Sequence, residues 1–214
     1  MAISGLASRH HVDDVRIALE RLVANESGKV AADRFLSRRL PDLDAEIVTA
    51  TDIALVGVTL TRTVRDMLPV LDRRLRVGAR VRVLLIDTDS HAGVEAVSRS
   101  REAEAAATDF YRQRVASTAN LLRVLASSAT SASTLELRML PYVPTFGLCM
   151  VDGEENHGRI HVEIYQHRTL ETNPTFSLYA DRDGHWYDLF RGQFETLWEC
   201  GRALPLLGDG RAVN

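Results

Sequence analysis

The segment from Ile53 to Asp87 constrains the fold of this chain more than any other part of the sequence. Residues 53–58 form a short, continuous apolar run, which is typical of a strand covered on both faces. Residues 64–77 then show the periodicity of an amphipathic helix that ends at Gly78, and residues 80–87 read as a second strand. Strand, helix and strand in succession predict a right-handed crossover between two parallel strands.

The part of the chain after this unit predicts helices first and strands later. Residues 93–128 are rich in alanine, arginine and glutamate and predict one long helix or two, with Phe110, Val115, Leu122 and Leu125 facing inward. Four strand-like runs follow, separated by Pro, Gly or Asp clusters, at 135–140, 145–151, 159–167 and 175–180. The whole pattern predicts an α/β fold with a mixed, partly parallel sheet flanked by helices.

Both ends of the chain add further predicted elements. A last helix over residues 185–204 carries a stripe of large apolar side chains that we expect in the core: Trp186, Leu189, Phe190, Phe194, Leu197 and Trp198. At the start, helices are predicted over 12–25 and over 29–40, the second with Phe35 and Leu36 inward, and a short one over 43–49. The predicted organisation is therefore an N-terminal helical extension (1–40), one α/β domain (41–204) and a C-terminal tail (205–214).

Composition excludes several classes of function. The formal net charge of -3 gives no basic footprint for duplex nucleic acid, and Lys29 is the only lysine available to a mechanism that needs one. Cys149 and Cys200 form neither a zinc motif nor a disulfide framework, and Cys149 sits in an apolar run that indicates a core position. No apolar stretch has the length of a membrane span, so we expect a cytoplasmic protein without a membrane partner or a cofactor.

The run from Arg159 to Arg168 alternates apolar and polar residues at period two. This alternation places His161, Glu163, Tyr165 and His167 on one face of a strand. Imidazole, carboxylate and phenol groups on one face could bind a ligand or a partner. Two alternatives stay open: a solvent-facing polar strand side, and a metal chelated by His161 and Glu163, since positions i and i+2 are ~6.6 Å apart. No metal is part of the leading hypothesis.

A second candidate site lies after the first predicted strand, where residues 59–63 lead into a helix. The C-terminal ends of parallel strands collect ligands, and helix N-termini favour anions. Arg62 would strengthen an anion site there, whereas Thr61 or Thr63 could simply cap the helix. The loop has no glycine-rich phosphate-binding motif, so nothing indicates a nucleotide site.

With the elements in this order, the chain resembles one half of a phospholipase D-like domain over roughly residues 40–204. That family carries the strand motif His-x-Lys-x-x-x-x-Asp, and here His161, Glu163 and Arg168 stand at its His, Lys and Asp positions. The family's Gly-Ser stretch would fall near residues 175–176, and the helix Trp186–Trp198 looks like its terminal helix. The resemblance implies a phospholipase D-like fold. The sequence departs from the family's motif at two of its three positions.

The departure bears on the activity that the resemblance implies. In the family, two motif copies bring two histidines to one phosphodiester, where one attacks phosphorus, the other protonates the leaving oxygen, and lysines neutralise the phosphoryl oxygens. One oxyanion donor is worth ~3 kcal/mol, and Glu163 would oppose the developing negative charge instead of stabilising it. Arg159 or Arg168 could replace the lysine only through their long reach.

These observations favour a non-catalytic derivative of the phospholipase D-like family, with a regulatory or sensing role. We expect it to bind a small anionic ligand or a protein partner, with these site residues: Thr61, Arg62, His161, Glu163, Tyr165, His167 and Arg168. The alternative is a homodimeric phosphodiesterase or nuclease that pairs two copies of His161 and uses arginine for lysine. A third hypothesis is an interaction module that joins partners through residues 12–40. Dimerisation is expected because single-motif members of the family dimerise.

Overall fold

The computed structural model describes residues 32–39, 42–99, 104–168 and 171–206. The chain divides into two compact units, Met1–Leu36 and Ser37–Asn214. In the first unit the described residues 32–36 contain a 3-10 helix, Ala32–Arg34. The helix predicted over 12–25, and most of the predicted 1–40 extension, lie outside the described residues.

The prediction of a helix over residues 29–40 is wrong for the residues that the structure describes. The 3-10 helix ends at Arg34, and Phe35, predicted to point inward, exposes 56% of its surface. Ser37 instead forms an isolated antiparallel bridge with Thr175, in which each backbone N–H donates to the other residue's carbonyl oxygen at 2.7 Å. Sheet hydrogen bonds therefore take the backbone groups that a continuing helix would have used.

The second unit contains alternating helices and strands, followed by strands and one last helix. In chain order the elements are α1 Leu43–Ile47, β1 Asp52–Val56, α2 Thr61–Arg76, β2 Arg80–Ile86, α3 His91–Arg99, α4 Glu104–Ser128, β3 Thr134–Leu140, β4 Phe146–Val151, β5 Arg159–Ile164, β6 Thr175–Tyr179, α5 Ala180–Cys200 and β7 Arg202–Ala203. Among the described residues, none of these helices combines the length and the apolarity needed to cross a membrane.

The strands form one seven-stranded sheet in the order β6-β5-β4-β1-β2-β3-β7. β1 pairs in parallel with β2, and β2 with β3, whereas every other neighbouring pair is antiparallel. The predicted strand–helix–strand crossover is confirmed as β1, α2 and β2, and α2 is followed by Gly78 at φ +95°. The predicted fold class, a mixed, partly parallel sheet flanked by helices, is confirmed.

Two apolar clusters cover the two faces of the sheet. The first packs helices α1 to α4 on one face and includes Val115, Leu122 and Leu125, which were predicted to face inward. Cys149 belongs to this cluster as predicted, and burial raises the pKa of its thiol to about 12 with a smaller contribution from Glu46. The second cluster packs α5 on the opposite face. The unit is thus built in three layers, with the sheet between two layers of helices.

The apolar stripe predicted for the last helix needs a correction. Phe194 and Trp198 are buried and Phe190 packs against the core, but Trp186 and Leu189 expose 61% and 39% of their surfaces. Tyr187 is buried in their place. One residue corresponds to about 100° of rotation on an α-helix, so only one of two neighbouring aromatic residues can face the sheet.

A buried arginine on β2 forms an ion pair that links α5 to the sheet. Arg82 has a side chain only 5% exposed, and its guanidinium donates to both carboxylate oxygens of Glu195 at 2.9 and 3.0 Å and to Asp52 at 3.2 Å. The same group stacks over the Phe194 ring, 4.6 Å from its centroid. The alternating arginines and valines of this strand predicted β structure without indicating that Arg82 is covered.

A candidate ligand-binding cavity at the end of β1

The C-terminal ends of β1 and β5 meet at the same edge of the sheet. Because β4 is antiparallel to both strands, β1 and β5 run in the same direction on either side of it. A cavity of about 870 Å³ opens at this edge. Its lining includes the loop that follows β1, the first turn of α2, and Glu163 and Tyr165 at the end of β5. This is the edge at which α/β sheets gather ligand sites.

Two glycines leave room for the Tyr165 hydroxyl at the base of the cavity. A Cβ atom on Gly147 would lie 2.6 Å from that hydroxyl and 3.1 Å from Oε2 of Glu163. A Cβ atom on Gly57 would lie 3.1 Å from the same hydroxyl. Real Cβ atoms essentially never come within 2.6 Å of another heavy atom, and contacts of 3.1 Å are tight, so glycine at position 147 is what lets the phenol lie against the backbone.

Glu163 on β5 and Tyr165 just after it differ in their partners. Burial raises the pKa of the Tyr165 phenol, the Glu163 charge adds to the rise, and a hydrogen bond from the Val58 backbone opposes it. The phenol therefore keeps its proton at neutral pH and can donate a hydrogen bond. Glu163 accepts a hydrogen bond from the Asn173 side-chain amide at 2.9 Å. Within the described ranges, Glu163 forms no ion pair.

The opposite wall of the cavity is the first turn of α2. The residue that precedes this helix is Leu60, in the left-handed region at φ +49°, and its side chain supplies no cap. The expectation that Thr61 or Thr63 caps the helix is therefore wrong. The Thr61 hydroxyl donates to the Arg114 carbonyl oxygen of α4 at 3.1 Å, because Thr61 already lies inside the first turn. Because α2 has no side-chain cap and its first turn lines the cavity, its leading N–H groups can bind an acceptor there.

Charged side chains of both signs surround the cavity. Four are arginines and four are carboxylates: Arg38, Arg39, Arg62, Arg114, Asp42, Asp44, Asp66 and Glu163. The three aspartates are exposed, whereas Glu163 is partly buried. Arg62 lies 3.7 Å from Asp66 in an exposed ion pair, which is worth ~1 kcal/mol or less. The cavity lining therefore holds equal numbers of positive and negative side chains. The positive end of α2 and the partly buried Glu163 carboxylate lie on different elements.

His161 lies on the same face of β5 as Glu163 but does not reach the cavity. Its side chain is 0% exposed. Nε2 lies 2.6 Å from Oε2 of Glu46 on α1, and Nδ1 lies 2.8 Å from the Ser177 hydroxyl on β6. Since a carboxylate only accepts, Nε2 donates its proton to Glu46. Arg159 lies 3.6 Å from the other oxygen of Glu46. The Glu46 carboxylate therefore contacts two side chains of β5, the Arg159 guanidinium and the His161 imidazole.

This arrangement bears on the chemistry that His161 can perform. A nucleophilic or acid imidazole has to contact phosphorus or the leaving oxygen of its substrate. In the structure both ring nitrogens of His161 are occupied by protein groups, and the ring has no exposed surface. The polar face predicted for β5 is therefore present. Its first residue, His161, does not face solvent and has a structural role through its two hydrogen bonds.

Two further residues predicted for the site lie elsewhere. β5 ends at Ile164, and His167 is exposed in the loop that follows. Arg168 adopts φ +51° and binds the end of α3, where its backbone N–H donates to the Arg99 carbonyl oxygen and its guanidinium to that of Ser98, both at 3.1 Å. A cation at a helix C-terminus is stabilising, which gives Arg168 a structural role. Neither residue lines the cavity.

Sequence reasoning missed Glu46 and Ser177, the two partners of His161. Ser177 stands directly opposite His161 in the antiparallel register of β5 and β6, close to the position expected for the family's Gly-Ser stretch. A strand pairing with the correct register would have found it. Glu46 is 115 residues away from His161 in sequence, and no local pattern connects the two.

Comparisons with known proteins yield structural similarity alone. No protein family profile and no curated protein matches this chain. Among solved structures it is similar to TrmBL2, an archaeal chromatin protein with a novel mode of DNA binding, at 12% identity and a TM-score of 0.49 over 92% of this chain. That match covers 66% of the TrmBL2 chain, slightly less than two thirds.

A second similar structure is Nuc, a phospholipase D family member from Salmonella typhimurium. The identity is 12% and the TM-score 0.42, over 76% of this chain and 88% of Nuc. A member of the family that the sequence resembles is thus among the solved structures similar to this chain.

Proposed function

We propose that this chain is a non-catalytic binding protein that takes a small anionic ligand at the cavity beside β1, in a regulatory or sensing role. The observation that carries the proposal is the cavity itself, which combines the first turn of α2 with four arginines in about 870 Å³. Cavities of ~300–1,000 Å³ are the size of small-molecule sites. The positive end of a 16-residue helix and its free N–H groups attract an anion.

Two observations support the absence of catalysis. His161, the residue at the family's nucleophile position, is enclosed and hydrogen-bonded at both nitrogens. Glu163, at the lysine position, brings a negative charge to the place where phosphoryl oxygens would need a positive one. Anion binding and phosphoryl transfer both require positive charge, which the first turn of α2 supplies and which Glu163 on β5 does not.

The binding proposal is tested by calorimetric titration with inorganic phosphate at constant ionic strength. We expect saturable binding by the wild type and a loss of affinity of about fivefold in Arg62→Ala, since one screened charge contributes ~1 kcal/mol. Arg65→Ala is the matched control, because Arg65 lies on the same helix turn, is exposed, and does not line the cavity. The proposal fails if the wild type shows no saturable binding or if both variants weaken it equally.

The non-catalytic part is tested separately with a chromogenic phosphodiester and a chelator. We expect no release of chromophore by the wild type at protein concentrations where a weak enzyme would be detected. Metal-independent turnover that disappears in His161→Ala would overturn this part and would require His161 to leave its enclosed position.

A further inference from the structure

Glu163 differs in burial from the three other carboxylates that line the cavity. It is partly buried, and within the parts of the chain that the structure describes its side chain forms a hydrogen bond with Asn173 and no ion pair. The cavity's three aspartates are exposed to water, which screens their charge. A partly buried carboxylate gains more from a cation than an exposed one does, because water compensates it less.

Within the described residues, none of the four arginines that line the cavity forms an ion pair with Glu163. Arg62 lies 3.7 Å from Asp66, and the Arg114 guanidinium stacks over the Phe110 ring at 4.4 Å. Arg38 lies 3.8 Å from Glu171. The cavity therefore presents a positive wall at α2 and, on β5, a carboxylate that faces the same space without a cation of its own.

We infer that the ligand carries an ammonium group together with its anionic group, and that Glu163 receives the ammonium. This inference rests on the proposed function, in which the α2 wall receives the anion. Small aminoalkyl phosphates have this chemistry, with the two charges on one short chain. The protonated Tyr165 hydroxyl beside Glu163 provides a further hydrogen-bonding group for the amine end. A charge-complementary pocket of this kind discriminates by leaving one of its charges unpaired when the wrong ligand binds.

The test compares two probes that differ by the ammonium group, O-phosphoethanolamine and ethyl phosphate, by calorimetric titration of the wild-type protein. We expect the first probe to bind about tenfold more tightly, which corresponds to ~1.4 kcal/mol. This comparison requires no variant and is independent of any effect of a substitution on folding. Equal affinities would overturn the inference and leave the proposed anion site standing, whereas absence of binding by both probes would overturn both.

The variant Glu163→Gln tests whether Glu163 causes the preference for O-phosphoethanolamine. The amide oxygen of glutamine can still accept the hydrogen bond from Asn173, so the shape of the cavity is retained. In this variant we expect the affinity for O-phosphoethanolamine to fall to the affinity for ethyl phosphate. The affinity for ethyl phosphate itself should not decrease. Glu155→Gln is the matched control, because Glu155 is exposed and does not line the cavity, and it should keep the tenfold preference. Retention of the preference in Glu163→Gln, or its loss in Glu155→Gln, would contradict the role of Glu163.

Discussion

The Tyr165 hydroxyl lies directly over Gly147, at 2.6 Å from where a Cβ atom of that residue would stand. The carboxylate of Glu163, which is opposite Gly147 in the β4–β5 register, approaches the same position to 3.1 Å. The absence of a single side chain on β4 therefore determines where both polar groups of β5 lie. The base of the cavity depends on this contact.

Substitution of Gly147 by alanine should displace both groups. We expect Gly147→Ala to lower the free energy of unfolding by about 1–3 kcal/mol, because the added methyl overlaps the phenol oxygen and the Tyr165 side chain has to shift. Gly192→Ala is the control: Gly192 lies in α5 with no heavy atom within 4 Å of the added methyl, and alanine should stabilise the helix by ~0.5–1 kcal/mol. Urea unfolding measures both, and equal effects would contradict the contact.

His161 should behave as a structural residue. His161→Ala leaves the Glu46 carboxylate and the Ser177 hydroxyl without their buried partner, and we expect a loss of ~3 kcal/mol in the free energy of unfolding. His167→Ala, at the exposed histidine of the following loop, should stay within ~0.5 kcal/mol of wild type. A His161→Ala protein as stable as His167→Ala would show that the three-residue cluster is not formed in solution.

Asp152 should make stability depend on pH in the acid range. Burial raises the pKa of its carboxyl, but hydrogen bonds from the Asp52 and Thr51 backbone and the Thr51 hydroxyl, with a contribution from His157, outweigh it and hold the pKa below 3.8. Because the folded pKa is below the unfolded one, the stabilisation is present above the unfolded value and is lost as the pH falls through the folded value.

The variant Asp152→Asn tests that pH dependence. Asparagine tolerates the left-handed backbone at φ +49°, so the turn is kept. We expect wild type to exceed the variant by about 1–2 kcal/mol at pH 7 and the difference to shrink once the pH falls below about 4, as the charge-assisted hydrogen bonds are lost. Chemical denaturation at a series of pH values measures it, and a difference that grows on acidification would have the wrong sign.

The Arg82 cluster should be the most sensitive ionic contact of the fold. Arg82→Ala removes the buried guanidinium that bridges Asp52 and Glu195, and we expect a loss of about 3–5 kcal/mol in the free energy of unfolding. Arg76→Ala removes an exposed pair with Asp72 on the surface of α2 and should cost ~0.5 kcal/mol. Thermal unfolding of the two variants compares them, and a similar shift for both would mean that Arg82 is solvated.

Local periodicity was sufficient to predict the central part of the fold. The apolar run of β1, the amphipathic α2 and Gly78 specify a crossover within about thirty-five residues, where neighbouring side chains carry the signal. The same holds for β5, whose period of two correctly placed His161 and Glu163 on one face, with Tyr165 just after the strand. The rule that ligand sites gather at the ends of parallel strands also placed Thr61 and Arg62 at the cavity.

The remaining features depend on contacts between distant parts of the chain. Whether the polar face of β5 meets water or protein is decided by α1, whose Glu46 covers His161. The burial of Arg82 is decided by Glu195 on α5, 113 residues later. Period and composition report which face a residue occupies, but not which element packs on that face, so the sequence could not separate a binding residue from a structural one.

Amide chemical shifts during a titration with inorganic phosphate would test the central claim most directly. In a ¹⁵N-labelled sample we predict saturable shifts for the amides of Thr61, Arg62 and Thr63 at the first turn of α2. The amides of Ser98 and Arg99, beside the structural Arg168, should not move. No saturable shift at residues 61–63, or shifts that concentrate around Arg168, would contradict the account of the cavity as an anion site.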